Sequence, residues 1–206
     1  MNINFKIQKL RPYPAKLSIK KEIAFSFCVL ILGIVMGLIA KMTDSISIIG
    51  QIGTEIGIWI FVATIIAAYS RYPLSAAVNV ILFFLAMLFT YYIYGHIVLG
   101  FFPKEYFIGW LIIALISPIA GFIAWFSKAR GLVSSIITAI PAALLFTHGY
   151  PAFYTLKLTL FLSLLMGCIL CFILPSTARN KVIAIGLAII LAFIFEKLYI
   201  FSFLPF

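Results

Sequence analysis

The chain has 206 residues, 65% of them apolar and 10% charged, with a formal net charge of +10. A soluble domain of this length needs a polar shell, and too few polar residues are present to build one. The positive charge gathers at the ends of apolar runs and forms no stripe, which excludes nucleic acid as an expected partner and leaves the lipid bilayer.

Met1–Lys21 is a basic leader with Lys6, Lys9, Arg11, Lys16, Lys20 and Lys21 and no acid. Pro12 and Pro14 break any long helix in it. A basic segment beside a span favours the anionic cytoplasmic leaflet, by about 1 kcal/mol per residue near the surface. The apolar run that follows is too long for a signal peptide, and Leu38-Ile39-Ala40 is a poor cleavage site. The reading is therefore a leader over 1–21 and a single transmembrane domain over 22–206.

Span one is Ile23–Ala40. Gly33, Gly37 and Ala40 share one of its faces, and small residues at that spacing let another helix approach closely. A loop with Asp44 follows, Lys41–Gly53. Spans two and three, Ile52–Tyr69 and Leu74–Tyr94, flank Ser70-Arg71-Tyr72-Pro73. That link permits only an antiparallel return, so the pair is a transmembrane hairpin. The loop Gly95–Tyr106 leads to span four, Phe107–Phe126, with Trp110 and Trp125 near its ends. Span five is Leu132–Thr147, interrupted by Pro141. Span six is Phe153–Leu174, stopped by Pro175. Span seven is Val182–Ile200, and an apolar tail, Phe201–Phe206, follows.

The charges test this count. With the N-terminus inside, the leader, Arg71, Lys128, Arg130, Arg179 and Lys181 place eleven basic residues in the cytoplasm, against four outside: Lys41, Lys104, Lys157 and Lys197. Every short connection obeys the positive-inside rule, and dropping span five or seven breaks the alternation. The expected fold is an all-α bundle of seven spans, N-terminus cytoplasmic and C-terminus outside.

Motifs for chemistry are missing. The chain has no H-E-x-x-H, no G-x-S-x-G, no acidic cluster for a metal–phosphate site and no glycine-rich phosphate loop. No catalytic, cofactor or metal residue is assigned. Cys28, Cys168 and Cys171 all fall in apolar runs and read as packing residues. The central thirds of the spans hold no Asp, Glu, Lys, Arg or His, which lowers the readings of proton pump and ion-coupled carrier.

Candidate ligand-facing residues remain. Asp44, Glu55, His96, Glu105 and His148 all fall outside near helix ends, where His and carboxylate together could bind a divalent metal or a cationic ligand, and solvated loop groups are the plain reading. Glu55 stands out, because it sits one turn into span two, near a helix N-terminus that favours a carboxylate. Asn79 is the strongest polar residue within a span, as an interhelical hydrogen-bonder or a substrate contact. Pro118 in span four and Pro141 in span five each free a carbonyl one turn earlier. Two adjacent kinked helices can open a cavity, and kinks are also ordinary packing devices. Tyr91, Tyr92 and Tyr94 read as an outer interfacial belt.

The stretch IGIWIFVATIIAAYSRYPLSAAVNVILFFLAMLFTYYIYG, with GFFPKEYF, Trp110 and SPIAGFIAWFSKARG, resembles a family of small polytopic membrane proteins of Gram-positive bacteria. The resemblance covers roughly Leu17–Gly131. It implies a bacterial cytoplasmic membrane and a multi-pass topology, and no activity or site residue. Substrate-capturing subunits of vitamin importers are similar in size and basic start but usually have six spans. Seven-span sugar carriers match the count, but their paired Pro-Gln motifs are absent here.

Two functions follow as expectations. One is a solute-binding or transport component energised by membrane or ATPase partner subunits, since the chain has neither a nucleotide motif nor a buried coupling charge. The other is a non-catalytic accessory protein for assembly, sensing or immunity, acting through the Gly33–Gly37 and Ala76–Ala77 faces. An intramembrane enzyme ranks third.

Overall fold

The computed structural model describes residues 9–13, 18–44, 55–100 and 102–203. Within them the chain is all-α, with seven main helices: α1 Ile19–Thr43, α2 Ile56–Tyr69, α3 Pro73–Leu99, α4 Lys104–Ala124, α5 Leu132–Gly149, α6 Leu158–Ile173 and α7 Ala178–Lys197. A 3-10 turn, Trp125–Lys128, prolongs α4, a single helical turn Ala152–Thr155 precedes α6, and a second 3-10 turn, Ile200–Phe203, follows α7. Five helices (α1, α3, α4, α5 and α7) are long and apolar enough to cross a membrane. The other two are shorter: α2, with 14 residues, and α6, with 16, rise about 21 and 24 Å against a hydrocarbon core of about 30 Å.

The helix ends differ from the hydropathy reading, and local chemistry accounts for each. Nothing at Gly95 stops α3, which carries His96 in its final turn and ends where Gly100 turns left-handed (φ 65°) and donates its N–H to the His96 carbonyl. Pro73 opens the same helix at its first position, where a missing N–H costs nothing. Span six is broken near its start, because Leu156 adopts φ 52° and Lys157 is extended, so α6 begins at Leu158. Helix α7 begins four residues earlier than hydropathy suggests, since the Thr177 hydroxyl caps it by accepting from the Asn180 N–H at 3.3 Å. Arg179 and Lys181 therefore lie in its first turn. Ile52–Thr54, the start assigned to span two, most of the Lys41–Gly53 loop, most of the leader and the tail after Phe203 lie outside the described residues.

The bundle divides into two packing groups. Helix α3 packs on both α1 and α4, while α5 packs on both α6 and α7; α2 touches helices of both groups, whereas α4 and α5 scarcely meet. Close approach between α1 and α3 depends on glycine. A Cβ at Gly33 would lie 2.6 Å from the Phe83 carbonyl oxygen and 2.9 Å from the Ala86 Cβ, and one at Gly37 would strike the Met87 backbone. Ala40 completes this face and is buried. One core gathers Val29, Ala67, Ala76, Phe83, Met87 and Trp125, and a second gathers Ala139, Ala142, Cys171, Ala184 and Ala188. Ala68 of α2 joins Leu145, Leu170 and Leu174, tying α2 to the second group. Large apolar side chains such as Ile23, Phe27, Ile31 and Ile39 are exposed along α1. That surface suits hydrocarbon rather than water.

Candidate functional sites

Polar side chains collect at the two ends of the bundle. At one end the leader returns to the helices. Arg11 donates one guanidinium nitrogen to the Trp125 carbonyl and the other to the Ala68 carbonyl at 2.7 Å, with its plane 4.2 Å from the Trp125 ring centre. Both carbonyls belong to helix C-termini, which lack helical partners and carry partial negative charge. Burial pulls the guanidinium down to about 10, so it stays charged at neutral pH. The Arg130 N–H donates to the Leu10 carbonyl at 2.9 Å, and Tyr13 packs edge-on against Tyr72 and Trp125. The leader thus meets the α2–α3 and α4–α5 connections on one side of the molecule.

Asn79 lies just above this layer and is fully buried. It accepts from the Ser26 hydroxyl at 2.7 Å and donates to the Ser70 hydroxyl at 3.1 Å, while Ser70 donates to the Ile66 carbonyl at 2.8 Å. Its amide links α1 to the end of α2. On the other flank, the Ser135 hydroxyl donates to the Asn180 carbonyl at 2.9 Å, and the Asn180 amide donates to the Gly131 carbonyl at 3.1 Å.

At the opposite end the structure brings Glu55 and His148 together. Glu55 is the residue before α2, and its side chain makes no capping bond to that helix. Its carboxylate instead lies 3.0 Å from His148 Nε2, and His148 Nδ1 is 3.0 Å from the Ser163 hydroxyl. Three helices, α2, α5 and α6, are tied at this point, and Phe201 covers the imidazole with ring centres 5.5 Å apart. Burial pushes the Glu55 carboxyl up, but the His148 ring, by hydrogen bond and charge, the Thr159 hydroxyl and Lys157 outweigh this and hold it below its ordinary value. Ser163 is buried with Gly57 packed over it, which leaves the hydroxyl no access for a substrate.

Asp44 and His96 stay apart from this pair. Asp44 pairs with Lys41 at 2.7 Å and accepts from the Tyr91 hydroxyl at 2.8 Å. His96 is exposed on α3 and packs against Phe102. Among the described residues, no group of three or more His, Cys, Asp or Glu could hold a metal ion.

Pro118 and Pro141 both lie inside continuous helices. Pro118 frees the Ala114 carbonyl, and the Ser117 hydroxyl donates to that carbonyl at 2.7 Å. Between α2, α3, α4 and α5 lies a cavity of about 270 Å³, lined by Thr64, Val80, Ser117, Gly121, Ile140 and Pro141 among others. Its two hydroxyls are spent inside their own helices, Thr64 donating to the Ile60 carbonyl at 2.7 Å and Ser117 to Ala114. The cavity therefore offers walls that are almost wholly hydrocarbon, with both hydroxyls spent. Arg11 and Ser163 went unrecognised in the sequence, since one lies in a charged leader and the other is a lone hydroxyl in an apolar run.

Compared with protein-family models, with curated proteins and with solved structures, the chain matches none.

Proposed function

We propose that the chain is a seven-span protein of a bacterial cytoplasmic membrane that binds an apolar solute within the bilayer, as a binding or transport component energised by partner subunits. The observation that carries this reading is the cavity between the two helix groups, at the place where α4 and α5 part. Sites of this kind form where helix groups meet, and such groups can rock about the site. The N-in topology draws support from the leader, which meets the connections after α2 and α4 on one side. A helix-contact role resting on Gly33, Gly37, Ala76 and Ala77 has less support, because all four are already buried inside the bundle.

The test is native mass spectrometry of the protein purified in mild detergent from its own host, with identification of bound small molecules and co-purifying chains. Ala120 lines the cavity yet is exposed, so Ala120→Phe fills the space without invading a core. The expected result is an apolar solute and an ATPase-bearing complex in the wild type, with the solute lost from Ala120→Phe at unchanged thermal stability. A wild-type protein that purifies alone and empty refutes the proposal.

A further inference from the structure

A second recess lies between α5, α6 and α7 and shares no lining residue with the cavity above. It has a volume of about 420 Å³, with walls that include Phe146, Leu164, Cys168, Ile185, Ile189 and Phe193. Thr147 also lines it, but its hydroxyl is used up, donating to the Ala143 carbonyl at 2.9 Å and toward the Ala192 carbonyl at 3.2 Å. Depth and walls thus suit a hydrocarbon chain and reject a sugar or a peptide, whose polar groups would go unpaired.

The mouth is different in kind. Glu196, in the last turn of α7, lines it and is exposed; its carboxylate makes no ion pair or hydrogen bond among the described residues. Opposite stands Tyr150, whose ring meets that of Tyr154 edge-on, with centres 5.3 Å apart and planes at 82°. The two hydroxyls are hydrogen-bonded to each other. Phe153 closes the row, 6.4 Å from Tyr150. An unpaired carboxylate beside aromatic rings is the arrangement that attracts an ammonium group, by charge and through the ring faces.

We propose that this groove seats an acyl chain of a membrane lipid whose headgroup carries an ammonium, held at the mouth by Glu196 and the Tyr150–Tyr154 pair. The bilayer supplies the ligand directly, because α6 and α7, which wall the groove, carry exposed apolar side chains such as Leu165, Ile190 and Phe193.

The experiment uses the full chain in lipid nanodiscs containing photoreactive phosphatidylethanolamine or chain-matched phosphatidylglycerol, with adducts mapped by mass spectrometry. Adducts on the α5 and α7 walls are expected, favouring the ammonium lipid about tenfold, the scale that cation–π and exposed ion-pair attraction give together. Glu196→Gln abolishes the preference and Glu196→Lys inverts it, while Ile189→Trp blocks labelling of the walls by both lipids. Equal labelling by both lipids that ignores Glu196→Gln means boundary lipid only and overturns the proposal, as does an absence of adducts in the groove. Because Ala120 is remote from these walls, failure here leaves the solute test above unaffected.

Discussion

Arg11 makes the sharpest stability prediction. Its guanidinium serves two helix C-termini at once and lies over Trp125, so Arg11→Ala removes two charge-assisted hydrogen bonds and a cation–π contact together. Hydrogen bonds to charged groups contribute about 1.5–3 kcal/mol each, and a partly exposed cation–π contact about 0.5–2 kcal/mol. Arg11 is half-buried and water can reach the vacated carbonyls, so the low ends, about 3.5 kcal/mol together, are an upper bound and the loss is about 2–3.5 kcal/mol. For a chain of this size that corresponds to a fall in Tm of about 5–15 °C. Arg11→Lys keeps the charge but offers one compact donor group in place of a planar fork, and should recover about half of the loss. Trp125 reports the event directly, since its indole N–H donates to the Ser70 carbonyl at 2.9 Å beneath the guanidinium. The assay is thermal unfolding followed by tryptophan fluorescence in detergent, alongside proteinase K cleavage of the leader. A melting temperature for Arg11→Ala within about 2 °C of wild type, with the leader equally protected, would refute the reasoning.

Two further outcomes are expected. Gly33→Ala should destabilise by about 1–3 kcal/mol, since the Phe83 backbone cannot yield to a methyl 2.6 Å away, whereas Gly186→Ala, whose Cβ meets nothing within 4 Å, should be neutral or gain up to about 1 kcal/mol in helix propensity. Equal effects in denaturant unfolding would contradict the packing of α1 on α3. For Glu55 the folded carboxyl is held below its ordinary 4.5, so its contribution to stability is complete above that pH and lost as pH falls through the folded value. Glu55→Gln should flatten this part of the stability–pH curve, and identical acid slopes for variant and wild type would show that the His148 pair contributes nothing.

The helices were legible because each apolar run is long, and length outweighs detail in hydropathy. Their ends were not, because ends are set by single residues whose conformation hydropathy does not register. Gly95 and Gly100 look equivalent in sequence, yet only Gly100 turns left-handed and stops α3. Thr177 outranks the apolar start at Val182 because a hydroxyl at the N-cap satisfies an otherwise unpaired N–H. Glu55 was singled out from its place near a helix start, but His148 lies 93 residues away and Ser163 is the third member, a pairing that only the tertiary fold reveals. Asn79 likewise carried an open choice between helix contact and ligand contact. Its amide is occupied by Ser26 and Ser70, both from other parts of the chain.

The distribution of these bonds bears on how the two helix groups could move. Helix α2 is tied at both ends, and between them Trp59 meets Trp110 of α4 with ring centres 5.1 Å apart. Near Ser70 it is held to the 3-10 turn after α4 by the Trp125 indole and Arg11. At Glu55 it is held to α5 and α6 through His148 and Ser163. Between these ties its residues facing the cavity, Ile60, Ala63 and Thr64, meet hydrocarbon, where attraction has no direction and sliding breaks no bond. A relative rocking of the groups has to work against these ties and against a direct one between the groups, where the Ser134 and Thr138 hydroxyls of α5 donate to the Ser127 carbonyl in the turn after α4. Release of the Glu55–His148 tie would loosen the second group from α2, while release of Arg11 would loosen the first, to which Asn79 and Trp125 still hold α2 through Ser70. If the cavity opens to admit a solute, the opening should be sensitive to Glu55→Gln or to Arg11→Lys.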